Sequence, residues 1–206
     1  MKLSTVVATA MAVIGSAEAQ SDQAKSTSSK PFQLMSLRSA SDIHFGQISA
    51  SESNIFINLP DQKAVCKGQD PKSAIFYMKD SQLLLYTGAD APVQRIFVDR
   101  SGTGQGKMGY LTGNGKVQPP FEVTGWNLRN IGKDQSSGQA LYFNDKSLIA
   151  CPGDAGKGWT VWVATDNQHP GGNQGCLGFT ARVIETANPV ACQYRKMAKL
   201  GVMGAM

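Results

Sequence analysis

The most suggestive spacing in the chain is Gly104-Gln105-Gly106-Lys107-Met108-Gly109, which fits the G-x-G-x-x-G pattern of dinucleotide-binding turns. That pattern cradles a pyrophosphate only where a strand feeds the turn and the last glycine opens a helix, whose free N–H groups meet the phosphate. Here Tyr110, Leu111 and Thr112 favour a strand, and Gly113-Asn114-Gly115 interrupts the chain again. A Walker loop needs Ser or Thr after its lysine, and Lys107 is followed by Met108. Nucleotide binding is therefore not expected. The glycines read instead as a connection between two strands, one at Ile96, Phe97 and Val98 and one at Met108, Tyr110 and Leu111.

Hydrolytic chemistry would need a placed base or a pair of carboxyl groups. His44 falls in an alternating, strand-like run with Asp42 on its face, and His169 in the loop-like Asp166-Asn167-Gln168-His169-Pro170. No Gly-x-Ser-x-Gly elbow accompanies either, so both are expected to be structural or surface residues. A glycosidase needs two carboxyls about 5 to 10 Å apart, one of them with a raised pKa. Beyond residue 19 the glutamates are Glu52, Glu122 and Glu185. Asp99 stands beside Arg100 in the densest motif, where it reads as a turn cap or ion-pair partner. No catalytic residue is assigned, and no cofactor.

The 4 cysteines, Cys66, Cys151, Cys176 and Cys192, include no Cys-x-x-Cys pair, so no metal site is expected. In an exported chain an even number reads as two disulfides, which leaves three pairings open. The expected pairing joins Cys176 to Cys192 across a loop of about 17 residues, and Cys66 to Cys151 across a long one. Oxidised sulfur leaves no thiolate nucleophile.

Aromatic residues give the best binding clue. Trp126, Trp159 and Trp162, with Tyr77, Tyr86 and Tyr110, offer flat faces to sugar rings. Trp126, Trp159, Trp162 and Tyr110 are taken as the candidate glycan contacts. Trp159 and Trp162 stand three apart, so on a strand they point to opposite faces. The competing expectation is that rings this large are buried.

The elements that must hold these residues are strands. Hydrophobic residues at 41% with 22 glycines and 9 prolines suit an all-β chain rich in turns. Extended runs recur from Pro31 onward, among them Ala74 to Met78, Leu83 to Tyr86, Gln94 to Val98 and Trp159 to Val163. Lys79-Asp80-Ser81-Gln82 between the first two reads as a hairpin turn. Roughly ten to twelve short strands with turn signals between them point to a single-domain antiparallel β-sandwich or barrel, disulfide-linked. No segment holds a helical apolar period over three turns.

The ends read differently. Residues 1–19 have the pattern of a secretory signal, with Lys2, an apolar run and Ala17-Glu18-Ala19 as the cleavage site. Residues 20–40 open with a Ser- and Lys-rich stretch and are expected to form a mobile leader, the β domain spanning 41–194 and a flexible tail 195–206. The leader's hydroxyls are possible acceptors of O-linked sugar, whereas no Asn-x-Ser/Thr sequon occurs. No run is long enough to span a membrane, and the tail lacks the apolar stretch of a lipid-anchor signal. The net charge of +5 is scattered without an aromatic-laced stripe, so no nucleic-acid partner is expected. A monomer that associates loosely with anionic polysaccharide outside the cell fits these features.

One series of motifs carries a resemblance. Ile96-Phe97-Val98-Asp99-Arg100-Ser101-Gly102, then Gly104-Gln105-Gly106-Lys107 and Gly109-Tyr110, resembles the PhiA family of secreted fungal cell wall proteins. Ser73-Ala-Ile-Phe-Tyr77, Leu83-Leu-Leu-Tyr86, Leu148-Ile-Ala-Cys-Pro152, Trp159-Thr-Val-Trp162, Ala181-Arg-Val183 and Asn188-Pro189 follow in the same order. The resemblance implies a non-catalytic wall component of developing asexual structures, the phialides and conidia. It further implies stress protection and, in some members, allergen-like antibody binding. The Ser/Lys leader, Thr103, residues 127–138 and the Met-rich tail depart from the family pattern. A lectin-like glycan-binding protein is the alternative reading, and a wall-acting glycoside hydrolase a more distant one.

Overall fold

A period-two alternation gives a strand one buried face, and the longer runs follow it closely. In the computed structural model, which describes residues 29–132, 137–154 and 156–196, β1 (Phe32–Leu37) buries Phe32, Leu34 and Ser36. Its counterpart β7 (Gln94–Asp99) buries Gln94, Ile96 and Val98. The other strands are β2 (Ile48–Ser51), β3 (Asn54–Ile57), β4 (Val65–Cys66), β5 (Ile75–Lys79), β6 (Gln82–Leu85) and β8 (Lys107–Thr112). They are followed by β9 (Phe121–Glu122), β10 (Trp126–Asn130), β11 (Gln139–Phe143), β12 (Leu148–Pro152), β13 (Trp159–Val163), β14 (Leu177–Glu185) and β15 (Cys192–Gln193). No helix among the described residues is long and apolar enough to cross a membrane.

All pairings are antiparallel. β14 is the spine: one edge runs along β1 from Phe32↔Glu185 to Leu37↔Thr180, while the other meets β12 and then β11. β1 also pairs β5, and the succession continues through β6, β7 and β8 to β3 and β13, which pairs β12. The large sheet therefore curls round a shared core in a sandwich-like domain, with β4 and β15 as a second, two-stranded sheet. The core joins residues from nearly every strand, with Trp126 and Phe143 edge to face at 4.7 Å. Burying a residue such as Ile96 or Leu141 contributes about 1.5–3 kcal/mol.

Tight turns set the register. Asp80 and Ser81 both take left-handed angles (φ 50° and 58°) in the two-residue turn of the β5–β6 hairpin. That is the turn hand which suits the right-handed twist of paired strands. Glu52 and Ser53 do the same between β2 and β3.

The structure corrects three expectations. The folded body starts earlier than residue 41, because Phe32–Leu37, inside the span assigned to the leader, is β1. Residues 1–28 and 197–206, which hold the expected signal, most of the leader and most of the tail, lie outside the described residues. The run from Ile43 to His44 and Phe45 is a turn, not a strand. Phe45 is left-handed (φ 60°), and a side chain on Gly46 would run into Ile57.

The disulfides join Cys66 to Cys192 and Cys151 to Cys176, not Cys176 to Cys192 and Cys66 to Cys151. Register decides this. Cys66 and Cys192 are direct partners across β4 and β15. Ala150 pairs Leu177 where β12 meets β14, and continuing that register by one residue brings Cys151 opposite Cys176. Loop length carries no information about strand register.

Candidate functional site

The glycine-rich stretch is a structural lock. The turn from β7 to β8 folds over the Asp99 carboxylate, which accepts the Ser101 N–H at 2.8 Å. Gly104 lies so close above that carboxylate that no Cβ fits. Gly104 N in turn donates to Ser101 Oγ at 2.8 Å. Gly106, at φ 101°, donates to Asp99 O and accepts from Val163 N at 2.8 Å. A Cβ there would sit 2.7 Å from Val163 O. Gly109 lies inside β8, where a dinucleotide turn would open a helix.

Gln105 ties this turn to a distant loop. Its Oε1 accepts from Asn167 Nδ2 at 2.7 Å and from Gly171 N at 2.9 Å, while its Nε2 donates to Gly102 O at 2.7 Å.

The hydrolytic candidates are dispersed. Glu122 pairs with Arg100 at 2.9 Å, Glu52 sits in the β2–β3 turn and Glu185 ends β14. His44 accepts from Arg38 N at 3.2 Å and lies against Phe45, whereas His169 faces Asn173 O in its own loop. Among the described residues no three His, Cys, Asp or Glu side chains gather as a metal cluster would need.

Most of the candidate glycan contacts are interior. Trp126 and Tyr110 are 2% and 1% exposed. Trp159 and Trp162 lie on opposite faces of β13, as their spacing predicts; Trp162 is the one turned away from the core, but it is only 4% exposed. The loop carrying Gly171 lies on its ring, its indole N–H donates to Thr160 Oγ1 at 2.9 Å, and Lys107 Nζ sits 5.9 Å from its centroid. These three rings present no free face. Trp159 is half-buried against the core.

Two other tyrosines do line a surface concavity. Tyr77 on β5 and Tyr86 just past β6 share the outer face of the hairpin, because Tyr77 pairs Leu84 and Tyr86 N donates to Ile75 O. Their rings meet edge to face at 6.4 Å. They form part of a groove of about 610 Å³ whose other walls are Ser29 and Pro31, residues 87–89, Ala91, Val93 and Pro189.

Its walls are tied down on several sides. Ser29 N donates to Met78 O at 2.9 Å, and Met78 N to Ser29 Oγ at 2.8 Å. Cys192 N donates to Tyr86 O at 3.0 Å, so the Cys66–Cys192 pair braces the groove from behind. Burial raises the Tyr77 phenol above its ordinary value. The sequence offered a signal for this pair: a two-residue turn at 80–81 puts 77 and 86 on one face. The prolines that wall the groove come from the two ends of the domain, which no local pattern reveals.

The profile of the PhiA-like secreted proteins matches residues 32–195. The chain belongs to that family. Among PhiA relatives, the cell wall protein phiA of Arthroderma benhamiae is 42% identical over 202 residues, covering 94% of this chain and 100% of the relative. That of Emericella nidulans is 37% identical, covering 94% and 99%, and that of Aspergillus fumigatus 38% identical, covering 89% and 95%. No solved structure matches. The PhiA match opens on the first residue of β1 and closes just after Tyr194, so family and folded body share their limits.

Proposed function

We propose that this chain is a secreted, non-catalytic component of the fungal cell wall that serves the formation of asexual structures, the phialides and conidia. The observation that carries the reading is full-length similarity to proteins named cell wall protein phiA, at 37% to 42% identity over 94% of the chain. Residues 1–19 act as the export signal and are removed before Gln20. The chain works as a monomer, held by wall polysaccharide or by other wall proteins. The dispersed carboxylates and the structural use of Asp99 agree with a role that turns over no substrate.

The test is depletion of the purified mature protein by native fungal wall, insoluble chitin and β-glucan, with released reducing sugar assayed in the same tubes. Depletion without sugar release is expected. Sugar release abolished by substituting one carboxylate overturns the reading in favour of a hydrolase. Failure of native wall to retain the protein overturns the wall assignment.

A further inference from the structure

The groove beside Tyr77 and Tyr86 has the size and lining to take a ligand, and its chemistry restricts what that ligand is. Its lining holds no Asp, Glu, Lys, Arg or His. Beside it, Lys67 and Asp90 satisfy each other at 2.8 Å, and Lys30, between the lining residues Ser29 and Pro31, is exposed to solvent and is not part of the lining. A charged ligand seated there would give up water without gaining a counter-charge, which is unfavourable. A hydroxylated ring with an apolar face suits the lining. It can lie on tyrosine rings and aliphatic walls while its hydroxyls meet phenol and backbone groups.

From this we infer that the Tyr77/Tyr86 groove is a binding site for a neutral pyranose chain, such as β-glucan or chitin. The inference rests on the wall reading only for the supply of that polymer; the site itself stands on its lining. It also separates two kinds of wall attachment. The net charge of +5 attracts anionic glycans in a way that salt screens, whereas a groove without ionic groups binds independently of salt. The hydrogen bonds of Ser29 and Cys192 hold the groove open before any ligand arrives, which limits the ordering cost of binding.

The experiment is an NMR titration of the isotope-labelled full domain with a soluble β-1,3-glucan oligosaccharide, a chito-oligosaccharide and a proline-rich peptide, each in separate tubes. At least one oligosaccharide is expected to shift Gly88, Ala89 and Tyr86 amides saturably. The affinity should be unchanged in about 0.5 M NaCl, where screening is nearly complete. Tyr77→Ala and Tyr86→Ala should each weaken binding by roughly tenfold or more, and Tyr77→Phe, which keeps the ring, by less. The Phe variant and the unchanged core resonances guard against loss of fold.

Which oligosaccharide binds identifies the polymer. Shifts with the peptide alone would overturn the inference and assign the groove to a protein partner. No groove shifts with either sugar, or shifts that vanish in salt, would also overturn it. Wall depletion that persists with both Ala variants would sink the groove as the anchor and leave the wall reading intact.

Discussion

Gln94 and Tyr194, a hundred residues apart, exchange two hydrogen bonds as if they were strand partners. Tyr194 N donates to Gln94 Oε1 at 2.9 Å, and Gln94 Nε2 donates to Tyr194 O at 2.8 Å. Gln94 is fully buried and Tyr194 is 1% exposed. The Tyr194 hydroxyl accepts from Ile75 N, its ring stands edge-on to Tyr110 at 6.4 Å, and the Tyr110 hydroxyl donates to Arg195 O. An amide side chain thus substitutes for a missing strand, and the end of the domain is buckled into the core.

Removing that amide should leave two buried backbone groups of Tyr194 without partners. Each such group costs about 1–3 kcal/mol. Gln94→Leu is therefore expected to lower unfolding free energy by about 2 kcal/mol or more, read from the midpoint of urea unfolding. A change below a few tenths would mean that Tyr194 finds other partners and that the buckle does not stabilise the fold.

The same two tyrosines set an alkaline limit. Burial pushes the Tyr110 phenol up to about 12, from an ordinary value of 10.0, and raises that of Tyr194 as well. Between about pH 10 and 12 the unfolded chain has lost these protons while the folded chain retains them. Their stabilisation is complete below pH 10 and is lost as pH rises toward the folded-state values. The decline amounts to at most about 1.4 kcal/mol per pH unit for each phenol. Urea midpoints should be flat near neutrality and fall above pH 10, with a shallower fall in Tyr194→Phe. Equal slopes in the two proteins would show that Tyr194 is not held neutral by the fold.

Local pattern made much of this architecture legible, and long-range packing hid the rest. The β5–β6 hairpin could be read because apolar runs flank a two-residue turn at Asp80 and Ser81. β1 was harder to see, because Ser36 takes a core position by donating its hydroxyl to the Ile43 and Gly46 carbonyls. The β2–β3 turn was hidden because Glu52 and Ser53 adopt left-handed angles without a glycine or asparagine to announce them. Trp162 looked available because period two put it and Trp159 on opposite faces of one strand, which turns one of the two outward. The loop that covers it is more than a strand's length away in sequence. The disulfide partners and the prolines of the groove likewise depend on register and chain ends, not on neighbours in sequence.

That loop over Trp162 supplies the last prediction. Two features hold it down: the Gln105 carbonyl, which receives both Asn167 Nδ2 and Gly171 N, and the lack of a side chain at Gly171. At φ 63° a Cβ on Gly171 would be strained, and it would approach Trp162 Cη2 to 2.7 Å. Gln105→Ala should free the loop without touching the core, and Gly171→Ala should push it off the ring. In both variants hydrogen exchange at the Trp162 indole N–H should accelerate, while the Val98 amide in β7 keeps its protection. Indole exchange unchanged in both would mean that Thr160 alone protects Trp162, and that the glycine-rich turn does not reach as far as the loop it contacts.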